Sequence, residues 1–313
     1  MKDILSHATW RHSVELGLGL KTPGQVREIS WDFMNLPPDL TGKAVLDIGA
    51  SDGLLSFEAE KRGASEVVCS DIYKDGNDNS VKGWSNQGIL YLKDYFNSKV
   101  KLHSLGIYGL TSISTKFDVL LLLNLINWLE DIELAFKNVS EVSKEKAELY
   151  LVDGFIIDNK WARRVKPAGE NDLSYMYNLK YIEKLLEKNG FRIEAVKELN
   201  YMKFFINDFL SVPQISIPKG TKVYVLPDLA SDYAVSPGIA AVSPYELKGF
   251  YHIQSKGWVL KSDVQARYNK PSLFFTLAKK LSMLDLYYRI LKIRHEKKSK
   301  TRAYVIKAVK LRS

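Results

Sequence analysis

The feature that most constrains this chain is one continuous run, KAVLDIGASDGLLSFEAEKRGASEVVCSD, from Lys43 to Asp71. Its first eight residues are a compact apolar stretch closing on Gly49, the pattern of a buried parallel strand that ends in a tight turn. A helix is expected next, with Leu54, Leu55, Phe57, Ala59 and Arg62 near helical spacing and Gly63 as its stop. EVVCSD then reads as a second short buried strand ending in Asp71. This order has a chemical logic. Gly49, Ala50 and Gly53 leave a loop whose backbone a ligand can approach, and the adjoining helix start presents N–H groups that lack intrahelical partners. A carboxylate closing the second strand can accept both hydroxyl protons of a ribose. Asp71 lies 18 residues beyond Gly53, close to the acidic position of dinucleotide sites. The loop is G-A-S-D-G, so the G-x-G-x-x-G pattern of pyrophosphate binding is incomplete.

The rest of the chain continues the alternation. Residues 117–123, FDVLLLL, form an apolar strand ending at Asn124, and NWLEDIELAFKNVSEVS, residues 127–143, has helical apolar spacing. Residues 147–153 read as the next strand, ending in Asp153. Residues 178–190 read as a helix with Leu179, Ile182, Leu185 and Leu186 on one face and Gly190 at its end, and FRIEAVKEL reads as the strand after it. Strands and helices alternating at this length imply an α/β fold with a doubly wound parallel sheet. Residues 303–311, AYVIKAVKL, alternate in the strand period and are the candidate for a last antiparallel strand. The expected organisation is an N-terminal substrate segment over 1–40, a nucleoside-binding domain over 41–199, an insertion over 200–300 and the final strand over 301–313.

VLDIGASDG resembles motif I of class I S-adenosylmethionine-dependent methyltransferases, with Asp47, Gly49 and Gly53 in the matching spacing. From about Trp10 to Leu199 the chain also resembles the family of the wobble-uridine tRNA carboxymethyl transferase. HSVELGLGLKTPG, the Trp31-Asp32 pair ahead of LPPDLTGKAVLDIG, and GASDGLLSFEAEKRGA carry that likeness. The resemblance implies a Rossmann-like seven-stranded methyltransferase sheet with a basic C-terminal insertion before the last strand. It also implies S-adenosyl-L-methionine as cofactor, with Asp47, Gly49, Ala50, Ser51, Gly53, Asp71, Ile72 and Asn124 as its contacts. One departure matters. Where that family often carries Leu-Tyr-His after the fourth strand, this chain has Leu125-Ile126-Asn127. Asn127 donates and accepts hydrogen bonds but cannot serve as a general base near neutral pH. The basic partner that a carboxylated cofactor would require is not identifiable either, so ordinary methyl transfer is the expected reaction.

Methyl transfer is an in-line displacement at an activated carbon and depends mainly on alignment. A base is needed only for an acceptor that must lose a proton. The candidates are Asp153, at the carboxyl edge of the sheet where open α/β folds bind ligands, His12 in the N-terminal segment and His103 near the third strand. Trp84, in a loop, reads first as a hydrophobic anchor for that loop and second as a cover for ligand, and Trp128 reads equally as a stacking partner for a base or as a core residue. The His and carboxylate positions show no metal-ligand spacing. The single cysteine, Cys69, excludes an internal disulfide and fits a cytoplasmic setting. The N-terminus lacks the apolar core of a signal peptide, and no run of about 18 uncharged apolar residues suits a membrane span.

Charge divides the chain. Residues 1–199 carry 25 basic and 29 acidic side chains, and residues 200–313 carry 20 and 7. The basic C-terminal third suits an anionic partner: tRNA, the inner membrane surface, or a nucleotide- or lipid-linked substrate. Within it, 218–229 and 249–264 read as short strands broken by Gly and Pro, either a small SH3-like barrel or a hairpin excursion. Residues 272–293 read as an amphipathic helix leading into the basic run RHEKKSKTR. That stretch, 272–300, suits a membrane surface, a nucleic-acid backbone or packing on the sheet. The leading expectation is O-methylation of a small-molecule or glycan acceptor. The alternatives are a tRNA-modifying methyltransferase and a non-catalytic binding protein on a degenerate methyltransferase fold.

Overall fold

A computed structural model of the chain describes residues 10–17, 20–22, 24, 31–32, 34–74, 84–156, 175, 177–199, 214–224, 233–235, 239–242, 246–247, 250–253, 257–267, 276 and 301–311. Two compact units divide it: Met1–Glu28 with Asn200–His295, and Ile29–Leu199 with Glu296–Ser313. The second unit begins inside the segment 1–40, so residues from Ile29 belong with the sheet. The net positive charge concentrates in the first unit, which carries 17 basic and 9 acidic residues.

The sheet unit is built on seven strands: β1 (Ala44–Ile48), β2 (Glu66–Ser70), β3 (Lys101–His103), β4 (Phe117–Leu123), β5 (Ser143–Ile156), β6 (Phe191–Glu198) and β7 (Thr301–Lys310). Their order across the sheet is β3-β2-β1-β4-β5-β7-β6. The first five are parallel to one another. β1 and β4 read as near-continuous apolar runs because helices cover both faces of a parallel sheet, and Val45, Leu46, Leu120, Leu121 and Leu122 are fully enclosed. The order reverses at β1 and β4, so the carboxyl ends of these two strands border the crevice where such sheets take ligands.

Among the described residues, four α-helices accompany the strands: α1 (Leu54–Lys61), α2 (Gln87–Tyr95), α3 (Ile132–Glu141) and α4 (Leu179–Lys188). The caps of two of them are written in the sequence. Asp131 opens α3 by accepting the Leu134 amide at 2.9 Å, and Asn178 opens α4 by accepting the Lys180 amide at 2.9 Å. The helical spacing after β4 resolves into a short 3-10 turn, Ile126–Trp128, and then α3. α2 follows a loop rich in Gly, Asn and Ser and is not among the helices expected from the sequence. Trp84, expected in that loop, is part of a two-residue strand, Trp84–Ser85, paired in parallel with Tyr73–Lys74.

β7 lies antiparallel between β5 and β6, so about a hundred residues of chain separate β6 from the strand it pairs with. Its apolar residues Val305, Ile306 and Ala308 are buried. Lys307 bridges Glu148 at 2.8 Å and Glu194 at 3.4 Å. Lys310 donates to the Asn189 carbonyl at 2.8 Å and packs over the Phe191 ring.

In the other unit, Glu15–Gly17 pairs antiparallel with Leu20–Lys21. The chain from 214 to 267 forms a three-stranded sheet centred on Gln214–Ile217 and a five-stranded sheet centred on Gly257–Leu260. Strands Lys222–Tyr224, Phe250–Ile253 and Gly257–Leu260 fall in the two segments expected to carry them. The amphipathic stretch 272–293 and its basic run lie outside the described residues, apart from Thr276 and the first residues of β7. Among the described residues, no helix is long and apolar enough to cross a membrane, and no group of three or more His, Cys, Asp or Glu is placed to hold a metal ion.

Candidate functional site

The turn after β1 is held open by its backbone. Gly49, Ser51 and Gly53 all adopt left-handed conformations, with φ of 78°, 53° and 79°, a region that costs a side chain and suits glycine. The Gly49 amide donates to the Ser70 carbonyl at 2.7 Å, which ties the turn to the end of β2. Gly53 is needed for space as well. A methyl group there would lie 2.8 Å from Ile89 Cδ1 and 2.9 Å from Phe57 Cε2, so α1 and α2 both close on it.

Asp71 stands directly after β2 and is fixed by two backbone amides. Its Oδ2 accepts from Ser51 at 2.8 Å and its Oδ1 from Ile72 at 2.7 Å. Burial pushes its carboxyl above the usual range, and the two amides oppose that shift. An ionised carboxylate offers about four lone-pair sites. Two are engaged here, and the side chain stays partly exposed, so it retains capacity for a pair of vicinal hydroxyls. Ile72 is 51% exposed and rests against Gly106, where a methyl group would meet its Cγ1 at 2.9 Å. The chain after β3 is drawn to the same edge by Ser70 Oγ donating to the Leu105 carbonyl at 2.6 Å and Ser104 Oγ donating to the Tyr73 carbonyl at 2.8 Å.

Asp47 occupies a different level. It is 3% exposed, and its Oδ2 accepts from Ser56 Oγ at 2.6 Å, which in turn accepts from the Cys69 thiol at 2.9 Å. The chain Cys69–Ser56–Asp47 joins β2, α1 and β1 beneath the turn. Burial, and after it the Asp47 charge, push the Cys69 thiol well up. Asp47 therefore braces the loop from below.

On the other side of the crevice, Asn124 leaves β4 in a left-handed conformation, φ 51°, and its amide donates to the Val152 carbonyl at 2.7 Å. The 3-10 turn just beyond it brings Leu125 over Gly49. A methyl group on Gly49 would lie 3.0 Å from Leu125 Cδ2 and 3.2 Å from Cδ1. Trp128, at the end of the turn, is 58% exposed. Asp153, inside β5 rather than at its end, accepts from the Ile126 amide at 3.0 Å, from Asn127 Nδ2 at 2.5 Å and from its neighbour Gly154 at 2.7 Å. Burial pushes its carboxyl up to about 7 against the pull of these donors.

Of the three acid–base candidates, Asp153 is enclosed, and His103 ends β3 beside Ser70 with its side chain partly exposed. The Asp71 amide donates to the His103 carbonyl at 3.4 Å. His12 belongs to the other unit, where its carbonyl accepts from Thr22 Oγ1 at 2.7 Å.

A further group joins Ser51 and Asn127, already singled out in the sequence, with Tyr73 and Gln87, which were not. Among the described residues, Ser51 Oγ, Tyr73 Oη, Gln87 Oε1 and Asn127 Oδ1 are buried without a hydrogen-bond partner. All four come after the carboxyl ends of β1, β2 or β4. Folded proteins leave few such atoms, and each one calls for an explanation. Their gathering at one end of the sheet fits a region shaped to meet polar groups of a ligand. Residue type alone gave no signal for Tyr73 or Gln87. The apolar pair Ile89 and Leu92 at helical spacing was the available clue to α2.

A family model described as a methyltransferase domain matches residues 27–196, more than half of the chain. The chain belongs to that family. This methyltransferase matches no curated protein. Solved structures resemble it more distantly. An S-adenosylmethionine-dependent methyltransferase from Mesorhizobium loti is 16% identical, with 56% of this chain and 87% of that one covered and a TM-score of 0.44. Magnesium protoporphyrin IX methyltransferase from Synechocystis PCC 6803 with bound S-adenosylmethionine is 18% identical, with coverages of 51% and 64% and a TM-score of 0.37. A phosphoethanolamine N-methyltransferase 2 from Haemonchus contortus, with S-adenosyl-L-methionine, is 17% identical, with coverages of 55% and 38% and a TM-score of 0.40. The methyltransferase spans less than two thirds of the last two proteins. At these TM-scores the likenesses bear on neither substrate nor site. The family model is broader than the wobble-uridine likeness, which rests on the shared sequence runs alone.

Proposed function

We propose that this methyltransferase binds S-adenosyl-L-methionine at the crevice between β1 and β4 and transfers its methyl group to oxygen on a small-molecule or glycan acceptor, including a lipid- or nucleotide-linked one. The observation that carries the cofactor reading is the Asp71 carboxylate, fixed by the Ser51 and Ile72 amides with lone pairs to spare. In this reading Asp71 takes the ribose hydroxyls, and Ile72 offers an apolar face to the base. Gly49, Ala50, Ser51 and Gly53 leave backbone room for the amino-acid end, and Asn124 borders the site across the crevice. Asp47 supports the turn through Ser56. When bound, the cofactor supplies a methyl group already activated on a sulfonium.

The protein's own part is then alignment and exclusion of water. His103 is the group proposed to take a proton from a hydroxyl acceptor, since its side chain is partly exposed at the same sheet edge. The unbalanced charge of residues 200–313 supports an anionic acceptor. It equally supports tRNA as a second reading.

A methyl-transfer screen with isotopically labelled cofactor separates these readings. Label passing into ether or ester products of metabolite, glycolipid or glycan extracts supports the first. Label passing only into tRNA, with binding that weakens steeply with salt, supports the second. Tight cofactor binding with no transfer to any fraction counts against O-methylation of these acceptors.

A further inference from the structure

Asp153 lies one residue past the Leu123–Val152 pair that ends the β4–β5 ladder and is 4% exposed, yet a buried carboxylate is costly unless donors hold it. Here the identified donors come from two segments, the turn after β4 and the strand itself. The Ile126 amide and Asn127 Nδ2 come from the turn after β4, and the Gly154 amide comes from its own strand. Asn127 Nδ2 also reaches the Gly154 carbonyl at 3.3 Å. The Tyr175 amide closes the turn from outside by donating to the Asn127 carbonyl at 2.5 Å. The residue preceding this clamp is Leu125, whose side chain occupies the space that a methyl group on Gly49 would need. The residue ending it is Trp128, whose amide donates to the Leu125 carbonyl at 2.9 Å.

From this geometry we infer that Asp153 is a positioning residue for cofactor binding: it fixes the β4–α3 turn so that Leu125 seats on Gly49 and holds the loop after β1 in its ligand-accepting shape. The inference rests on the reading of that loop as the cofactor site. Asp153 acts through the turn and touches no reacting atom. An enclosed carboxylate with its lone pairs directed at backbone and amide donors is suited to hold a shape rather than to exchange protons with an acceptor. Asn127 completes the clamp with a neutral donor. The turn therefore does not depend on the ionisation of an imidazole.

The test is a double-mutant cycle read by calorimetric titration with S-adenosylhomocysteine, using the full chain. Asp153→Ala and Leu125→Ala should each weaken binding, the first by about tenfold as an unsatisfied buried donor implies. The double variant should weaken it by clearly less than the product of the two, because both changes break the same link. Asp153→Asn keeps an acceptor oxygen and should restore most of the affinity. Hydrogen exchange at the Ile126 amide should quicken in Asp153→Ala and return toward wild type in Asp153→Asn. If Asp153→Ala does not fold, the cycle is run with Asn127→Ala, which removes one donor of the clamp, and Leu125→Ala, and the same non-additivity is expected. Effects that multiply independently, or an Ile126 amide indifferent to Asp153, overturn the inference. Asp71→Ala is the control for the reading beneath it. Wild-type affinity unchanged by Asp71→Ala would remove the cofactor site itself, whereas loss with Asp71→Ala and independent effects at Asp153 and Leu125 would remove only the positioning role.

Discussion

Asp71 accepts the Ser51 amide at 2.8 Å, so the carboxylate that closes β2 also sets the conformation of the turn that closes β1. The two motif positions are twenty residues apart in the chain and act as one structural unit. Left-handed backbone at Ser51, φ 53°, aims its N–H at the carboxylate. In the proposed site, removing the carboxylate takes away a ribose contact and releases the loop together.

Asp71→Ala should therefore weaken S-adenosylhomocysteine binding by more than about tenfold, since a charge-assisted hydrogen bond is worth roughly 1.5–3 kcal/mol and two hydroxyls are involved. Asp71→Asn should fall between wild type and Asp71→Ala, because its amide oxygen can keep the Ser51 bond but the charge is lost. Calorimetric titration of both variants checks the order.

Gly49→Ala meets two obstacles of different kinds. Its φ of 78° is strained for any L side chain, and the added methyl would press on Leu125 at 3.0 Å. Cofactor affinity should fall, with a stability cost of about 1–2 kcal/mol. Adding Leu125→Ala relieves the contact but leaves the backbone strain, so the double variant should recover stability only in part. Urea denaturation midpoints measure this.

The ionisation of Asp153 gives a prediction in pH. A carboxyl in the unfolded chain titrates near 3.9, and in the folded protein burial holds it at about 7. Between these values the folded state binds the extra proton, so this group's contribution to stability falls as pH rises from about 4 to about 7. Asp153→Asn cannot ionise and should flatten that part of the stability-against-pH curve, gaining relative to wild type above neutrality. Melting temperatures recorded from pH 5 to pH 8.5 test the sign.

Lys310 is a structural lysine. Its amine donates to the Asn189 carbonyl and to Ser140 Oγ, which closes the end of α4, and desolvation lowers its basicity. Lys310→Met keeps the stem but removes one of the two donors on that carbonyl, the Ser140 hydroxyl remaining at 2.9 Å. A loss of about 0.5–1.5 kcal/mol in unfolding free energy is expected, with cofactor affinity unchanged because the group lies at the opposite end of β7 from the crevice.

Much of the sheet unit was legible because its signals are local. Strands β1, β2 and β4 announce themselves as apolar runs. The G-A-S-D-G segment marks the turn after β1, and the alternation of AYVIKAVKL marks β7 even across a long insertion. The site's inner layer was less legible because it depends on contacts between distant segments. Nothing in the residue types says that Asp47 is enclosed beside Ser56 and Cys69 while Asp71 stays partly exposed at the end of β2. Both are carboxylates beside apolar strands, and only the topology assigns one to bracing and the other to the crevice. Asp153 reads as the end of a strand, but β5 continues to Ile156 and encloses it. Leu125 reads as an ordinary loop leucine until the missing Cβ of Gly49 reveals the space it fills.

The measurement that tests the account most directly is calorimetric titration of the wild-type chain and of Asp71→Ala with S-adenosylhomocysteine under identical buffer and salt. One site per chain with saturable binding is expected for the wild type and a large loss for the variant, with both proteins equally folded by circular dichroism. Absence of binding to the wild type, or binding that Asp71→Ala leaves untouched, would contradict it.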